Sequence, residues 1–406
     1  MTIKRKPTDF QVTEVLSPAL LDTVRPSAGP YVLYRLTKES LSTPEAINAV
    51  TRSLHPPKGA LAYAGLKDKH ACSSQHLTVA CKGALTNPPK QAEGNGWQLE
   101  RVGYVEQPIE ASDIAANGFQ IVVRGLTKEA SRDMDEAARL LALPESAGEE
   151  GSRERTLRVV NYFGDQRFGS ARHGHGFLAR NLIRGDFEKA LKLALAVPAR
   201  KDHRKVKEFK RAVHAGWGRW KELLPQLRRC PERAAIERLA KKPEDLRGAF
   251  CALPYFFQQL CVYAYQSWLW NATARELVAH ACGEKGTVLA AKDLFGRMLF
   301  PTADSVPEEL VGLELPLLGY KSELKEPWGP VAEAVLAQEG ITTAKLKIPR
   351  VRRPFFREEP RPLFAHAARF VCSKAKTETR QRLMRTVAFE LPRGAYATVV
   401  LRALGQ

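Results

Sequence analysis

The chain lacks most of the signatures that would fix its chemistry at once. No apolar run approaches the roughly 20 residues a membrane-spanning helix needs. The basic start Met1-Thr2-Ile3-Lys4-Arg5-Lys6-Pro7 has no apolar segment behind it, so it does not read as a secretory signal. A cytoplasmic protein without membrane contact is the expectation. The seven cysteines (72, 81, 230, 251, 261, 282, 372) are odd in number and form no C-x-x-C. That argues against a disulfide framework and a zinc ribbon, and for buried reduced thiols. No Gly-rich phosphate loop, metal-carboxylate cluster, internal repeat or low-complexity segment stands out. His173-Gly174-His175 has no cysteine or carboxylate close by and reads as a polar loop rather than a metal site. We therefore expect neither cofactor nor metal. Acid is also scarce: 44 Asp plus Glu against 63 Lys plus Arg leave a net charge of +19. Such a surplus calls for a polyanionic partner, nucleic acid before acidic membrane.

What is present is a globular composition, 44% hydrophobic and 26% charged, over 406 residues. That length exceeds one ordinary core and suggests two domains. Pro7–Val15 reads as a turn into a strand, and Tyr31–Leu36 as a second strand. Thr43 is expected to cap a helix with Pro44 at its first position, striped by Ile47, Val50 and Leu54. Strands follow at Leu77–Ala80 and at Asn117–Arg124, the latter with Phe119, Ile121 and Val123 on one face. A helix begins near Thr127, and the polar run Pro144–Ser152 is a plausible domain edge. From Asn181 the character turns helical, with a long apolar helix over Phe256–Leu277. The C-terminal part reads as strand Thr386–Leu391, a turn, and a return strand Tyr396–Leu401. Strand-rich ends around a helical middle make an α+β chain in which a helical domain is inserted into a sheet domain.

Three stretches carry chemistry. In Tyr63-Ala64-Gly65-Leu66-Lys67-Asp68-Lys69-His70-Ala71, one acid sits among cations, and Gly65 allows a conformation or close approach that a Cβ would hinder. A carboxylate beside fixed positive charge stays ionised, which suits a nucleophile or base more than a proton donor. By spacing alone, Lys-Asp-Lys also describes a solvated turn. Asn161-Tyr162-Phe163-Gly164-Asp165-Gln166-Arg167-Phe168-Gly169 either fills a core or offers Arg167 and Phe168 to stack on bases. Arg200 to Val213 holds seven basic residues, Lys201, Arg204, Lys205 and Lys207 among them, against two acids. It is either a solvated helix face or a track for phosphates.

Five segments taken together resemble the TruD family of tRNA pseudouridine synthases. They are Lys4-x-x-Pro7-x-Asp9-Phe10, Gly65-Leu66-Lys67-Asp68-Lys69-His70-Ala71, Asn117-Gly118-Phe119, Asn161-Tyr162-Phe163-Gly164-x-Gln166-Arg167-Phe168-Gly169, and Leu391-Pro392-x-Gly394-x-Tyr396-Ala397-Thr398. The resemblance implies a pseudouridine-synthase-type catalytic domain with a mixed, largely antiparallel sheet. Residues 1–158 and 350–406 would form it, with a largely helical α/β TRUD domain inserted at 159–349. It implies Asp68 as catalytic acid residue, Lys4 as its basic partner, and Asn117 and Phe119 in the active site. A family aromatic that is commonly Phe falls at Tyr396, where the added hydroxyl wants a partner. The implied substrate is tRNA, at a uridine of the D-arm region (position 13 in bacterial members), and monomer is the default. The implied reaction breaks the bond from ribose C1′ to uracil N1 and joins C5 to C1′, with no atom gained or lost. An ionised carboxylate can attack C1′ or remove the C2′ proton. A non-catalytic RNA-binding protein, or a synthase for another RNA site, would use the same basic surface. A hydrolase or methyltransferase fits poorly.

Overall fold

A computed structural model describes residues 3–81, 87–144, 154–171, 176–199, 202–283, 288–293 and 296–406. Its centre is a mixed sheet. The N-terminal half supplies β1 (Phe10–Leu16), β2 (Tyr31–Glu39), β3 (Leu61–Tyr63), β4 (Cys72–Ala80), β5 (Gln91–Gly94), β6 (Trp97–Val105), β7 (Ile114–Leu126) and β8 (Arg155–Val160). Two small ribbons follow: β9 (Val288–Asp293) with β10 (Gly296–Pro301), and β11 (Glu314–Leu317) with β12 (Glu359–Pro362). The chain then returns to the large sheet with β13 (Phe364–Cys372), β14 (Lys376–Thr379) and β15 (Arg382–Pro392). The order across that sheet is β5-β6-β2-β4-β1-β7-β15-β13-β8, with β3 on β4 and β14 on β15. Among the described residues β1 and β4 make the parallel pair of this sheet, and the other pairings are antiparallel. The expected sheet of both chain ends is thus present, zipped where β7 meets β15 from Leu126 opposite Leu383 to Ala116 opposite Pro392.

Register decides which side chains share a face. Phe10, Val12 and Glu14 stand opposite Ile121, Phe119 and Asn117, and Phe119 opposite Phe389. Two helices cover parts of this face. Helix Thr43–Leu54 buries Ala46 and Val50 on Tyr34, Leu36, Leu77 and Val79. Helix Lys128–Leu141 buries Met134, Ala137 and Leu141, and Arg385 of β15 donates to its Ser131 carbonyl at 2.8 Å. The stretch between these helices, over β1 and β7, is where the Asp68 loop lies.

The middle of the chain is helical as expected, built round Tyr255–Cys282. This helix is not striped. It is buried almost all round, and its polar groups bond backbone: Gln266 donates to Leu318 and Arg357 carbonyls (2.9 Å each), and Trp270 to that of Leu315 at 3.1 Å. The hydrophobic core runs without a break from the sheet into these helices. The sheet itself ends at Val160 and resumes at Phe364, so the expected junctions at 158/159 and 349/350 fall inside β8 and between the two strands of the β11–β12 ribbon. Among the described residues no helix is long and apolar enough to cross a membrane.

Two local expectations are corrected. The cap of the helix at 43–54 is Ser42, in a reciprocal pair with Glu45, not Thr43. Tyr396–Leu401 is not a return strand: Ala397–Ala403 is helical, burying Ala397, Val399, Val400 and Leu401. Its β-branched residues suit a strand, but both edges of β15 are already occupied, by β7 on one side and by β13 and β14 on the other. With no edge to pair with, the segment satisfies its backbone internally.

Candidate active site

Lys4 is placed by an anchor that precedes the first strand. Asp9 is buried, accepts from the Lys6 amide at 3.0 Å, and is gripped by Arg124 through Nε (3.1 and 3.0 Å) and Nη2 (2.7 Å). Arg124 holds the Asp9 carboxyl below the usual carboxylate range, against the opposing effect of burial. Glu378 extends the anchor, accepting from Arg5 and from the Gly125 amide at 2.9 Å. The segment ahead of β1 is therefore fixed to β7 and β14. From it Lys4 reaches over the Phe10 ring, 4.2 Å from its centroid, and binds Asp68 Oδ2 at 2.5 Å.

The loop carrying Asp68 is suspended from the sheet by bonds to its backbone and side chains. Thr43 Oγ1 accepts from the Lys67 amide at 2.8 Å and donates to buried Gln75. Lys38 is buried, and its Nζ donates to the carbonyls of Asp68 at 2.9 Å and Leu41 at 2.6 Å. Lys69 pairs with Glu45 of the capping box at 2.8 Å. Beneath the loop, Lys67 Nζ bridges Glu14 Oε1 at 2.7 Å and Asn117 Oδ1 at 2.9 Å. Glu14 also accepts from the His76 amide at 2.7 Å. Burial would raise the Glu14 pKa, but the hydrogen bond from His76 and the charge of Lys67 win, and it stays ionised. Gly65 is not needed for close approach: its φ is not positive and a Cβ there would meet nothing within 4 Å.

Asp68 is held ionised. Partial burial pushes its pKa up; the Lys4 hydrogen bond, the His70 amide at 3.1 Å and the Lys4 charge push it down and prevail. Its side chain is 38% exposed, so the acid faces outward from a fixed loop. Phe119 is half-buried between Phe10 (6.1 Å, edge-on) and Phe389 (5.6 Å) on the same face as Asn117. The fold thus gathers Asp68, Lys4, Asn117 and Phe119, contributed by three separate stretches of sequence.

Tyr396 lies just past β15, whose Leu391 faces Asn117. Its half-buried ring meets Phe163 edge-on at 6.1 Å. Gly164 is required here, because a Cβ would come within 2.9 Å of Thr398 Oγ1 and 3.2 Å of the Tyr396 ring. Of the aromatic run, Tyr162, Phe163 and Phe168 are buried. Phe168 packs on Phe177, so the expectation that it stacks on RNA is corrected: it is core. Arg167 is half-buried, donating to Ser267 at 3.1 Å and lying over Phe163 and Tyr263. Arg204 and Lys205 are exposed and Lys207 half-buried on helix Arg204–Ala215, where Arg204 pairs with Glu208 at 2.8 Å. No described bond ties these three to the Asp68 loop. Lys201, His173 and His175 lie outside the described residues. Sequence reasoning missed Glu14, Thr43, Lys38 and Arg361. A buried acid at an inward position of β1, out of place in an apolar stripe, was the available signal for Glu14.

A fixed, ionised carboxylate beside an aromatic ring, on an open face of a strongly basic chain, belongs to chemistry on a nucleic acid, and this mixed sheet with a helical insert is a pseudouridine-synthase architecture. A family model for tRNA pseudouridine synthase D (TruD) matches residues 1–404. The tRNA pseudouridine synthase D of Aquifex aeolicus is 30% identical over 99% of this chain and 97% of its own. That of Leptospira interrogans is 24% identical over 99% and 95%. A solved chain from Methanosarcina mazei, described as a tRNA pseudouridine synthase D, has the same fold, with a TM-score of 0.70 over 99% of this chain and 92% of that one at 23% identity. The chain belongs to the tRNA pseudouridine synthase D family, and its activity is that of an isomerase converting uridine to pseudouridine in RNA.

Proposed function

We propose that the chain isomerises one uridine of tRNA, in the D-arm region at position 13, with Asp68 as the catalytic residue. The observation that carries this reading is the Lys4–Asp68 contact on a loop pinned from several sides. Asp68 meets the ribose ionised, and attack at C1′ or proton removal at C2′ both start from that state. Lys4 sets its charge. Asn117, oriented by Lys67, addresses the edge of the flipped base, and Phe119 and Tyr396 give it apolar walls. Leaving the stack costs a few kcal/mol, and a stacked ring returns about 1–3 kcal/mol. Because Asp68 is open in the free protein, the bound nucleotide itself completes the water-excluding wall. The sheet, from residues 1–158 and 350–406, and the inserted 159–349 would act as two domains on either side of the RNA. Arg167, Arg204, Lys205 and Lys207 would meet its phosphates. A monomer working where tRNA matures, in the cytoplasm, completes the reading. Pseudouridine mapping in total tRNA incubated with wild type or Asp68→Ala tests the reading, alongside tritium release from uridine labelled at C5. The expected result is one new pseudouridine in the D arm with wild type and none with the variant. Equal patterns would remove Asp68 from the mechanism.

A further inference from the structure

Beyond Tyr396 sit two arginines that touch no acid among the described residues, Glu359 acting on Arg361 only through its charge at longer range. Arg361 donates from Nε to the Asn161 carbonyl at 2.9 Å, and from Nη2 to Asn161 Oδ1 at 2.6 Å and the Gly394 carbonyl at 3.1 Å. Arg167 donates to a serine hydroxyl. Both guanidinium groups lie over the Phe163 ring, at 4.0 and 5.4 Å, and Arg361 is also 5.4 Å from the Trp270 centroid and 6.0 Å from that of Tyr396. Among the described residues neither arginine forms an ion pair. The Arg361 pKa is lowered to about 10, chiefly by burial and also by the Arg167 charge, with Tyr396 and Glu359 opposing. The group is still a cation at neutral pH. Two like charges against aromatic walls are an unfavourable arrangement until an anion arrives.

A third group faces the same place. Tyr396 is the electrostatic neighbour of both arginines, and burial raises its pKa, so it is a neutral phenol able to donate. Among the described residues its hydroxyl makes no hydrogen bond. Nη1 of Arg361, which the bonds to Asn161 and Gly394 leave uncommitted, the two terminal nitrogens of Arg167 and one phenol suit a phosphate's oxygens. We propose that Arg361, Arg167 and the Tyr396 hydroxyl form a receptor for one backbone phosphate of the RNA, flanking the nucleotide presented to Asp68. This rests on the isomerase reading for the identity of the RNA. Its placement follows from the chain: Gly394, held by Arg361, is three residues past Leu391 and so lies within about 11 Å of Leu391, the residue that pairs with Asn117. The phosphate would anchor the strand while the base turns out beside it. It would also give the hydroxyl of Tyr396 the partner that a Phe does not need.

The test walks single methylphosphonates, which neutralise one phosphate at a time, through the D arm of a tRNA. Binding is measured for wild type, Arg361→Gln, Arg167→Gln and Tyr396→Phe. Wild type should lose about tenfold in affinity at one position. The arginine variants should bind unmodified tRNA about tenfold more weakly and show no added loss at that position, with Tyr396→Phe about threefold weaker. Variants that keep full sensitivity at every position would overturn the receptor, as would a wild type sensitive nowhere. Arg361 also rivets Asn161 to Gly394, so Arg361→Gln could unfold. A fall in its melting temperature would leave Arg167→Gln and Tyr396→Phe, which spare those bonds, to decide. Tritium release by wild type is read in parallel. Its absence strikes the isomerase reading, while the phosphate scan still reports on the receptor.

Discussion

The two charged regions of this molecule are built on opposite plans. Around Asp68 each charge is answered within the protein: Lys4 by Asp68, Lys67 by Glu14, Lys69 by Glu45, and Lys38 by two carbonyls. Around Tyr396, Arg361 and Arg167 rest on rings, carbonyls and a hydroxyl, and among the described residues no carboxylate pairs with either. The first arrangement is complete before substrate arrives. Its dipoles and charges need no reorganisation at the moment of reaction, which is what a catalytic group requires. The second is incomplete by one anion, which is what a binding site for a polyanion requires. Surface pairs such as Lys69–Glu45 add little stability by themselves. Their effect here is to fix where the backbone of Asp68 sits.

The largest effect should come from breaking the first region at its centre. Asp68→Ala should lower kcat by about 10⁴-fold or more while tRNA affinity changes less than about threefold, as read by single-turnover kinetics and filter binding. Loss of binding in step with turnover would make Asp68 a structural residue instead.

Next comes the cation beside it. The folded-state pKa of Asp68 is depressed, so in wild type the ionised form, and with it the rate, is lost only as pH falls below the ordinary range near 3.8. Lys4→Met removes the largest influence opposing burial, leaving the His70 amide, and raises that pKa. The acid limb of kcat/KM should move to higher pH, and kcat should fall by about 10- to 100-fold. An unmoved acid limb would mean Lys4 does not set the charge of Asp68.

Glu14→Gln tests the foundation under the loop. It leaves Lys67 buried opposite a neutral group, at a cost of about 3 kcal/mol in stability, seen as a lowered thermal midpoint. Since Lys67 also holds Asn117, kcat should fall more than KM rises. A stable variant with normal kcat would reduce the Glu14–Lys67 bridge to packing.

The smallest effect belongs to the helix Arg204–Ala215. Changing Arg204, Lys205 or Lys207 to Gln should leave kcat unchanged. If about six phosphates are contacted, log K falls with log salt at a slope near −4 to −5, and each lost contact should flatten it by about 0.7–0.9. An unchanged slope in all three variants would make this face merely solvated, as the Arg204–Glu208 pair already suggests for one of them.

The candidate site was legible through the resemblance carried by five segments, which implied Asp68, Lys4, Asn117 and Phe119; by itself Lys-Asp-Lys also describes a solvated turn, and alternation placed only Phe119, Ile121 and Val123 on one face of a strand. Phe168 was ambiguous because an aromatic beside an arginine reads the same in a core and on a binding surface. Only packing on Phe177 separates the two. Tyr396–Leu401 misled because β-branched residues favour strands only where an edge is free to pair. Glu14 gave its signal as an acid in an apolar stripe, but its partner, Lys67, is 53 residues away in sequence, and no spacing rule joins them.

The order and chemistry of the local pieces were settled by sequence alone: strand-rich ends, a helical middle, a basic surplus, and one acid flanked by cations. Those properties depend on neighbours along the chain, where periodicity and composition act. Tertiary structure decided which charges would be answered. Bringing Lys4 to Asp68 and Lys67 to Glu14 and Asn117 depends on strand register and on a clamp formed by Asp9 and Arg124, 115 residues apart. Bringing Arg361 and Arg167 together without an ion pair among the described residues is equally a matter of which surfaces the fold presses against each other. Coulomb energy falls with distance through space, and a sequence records only distance along the chain.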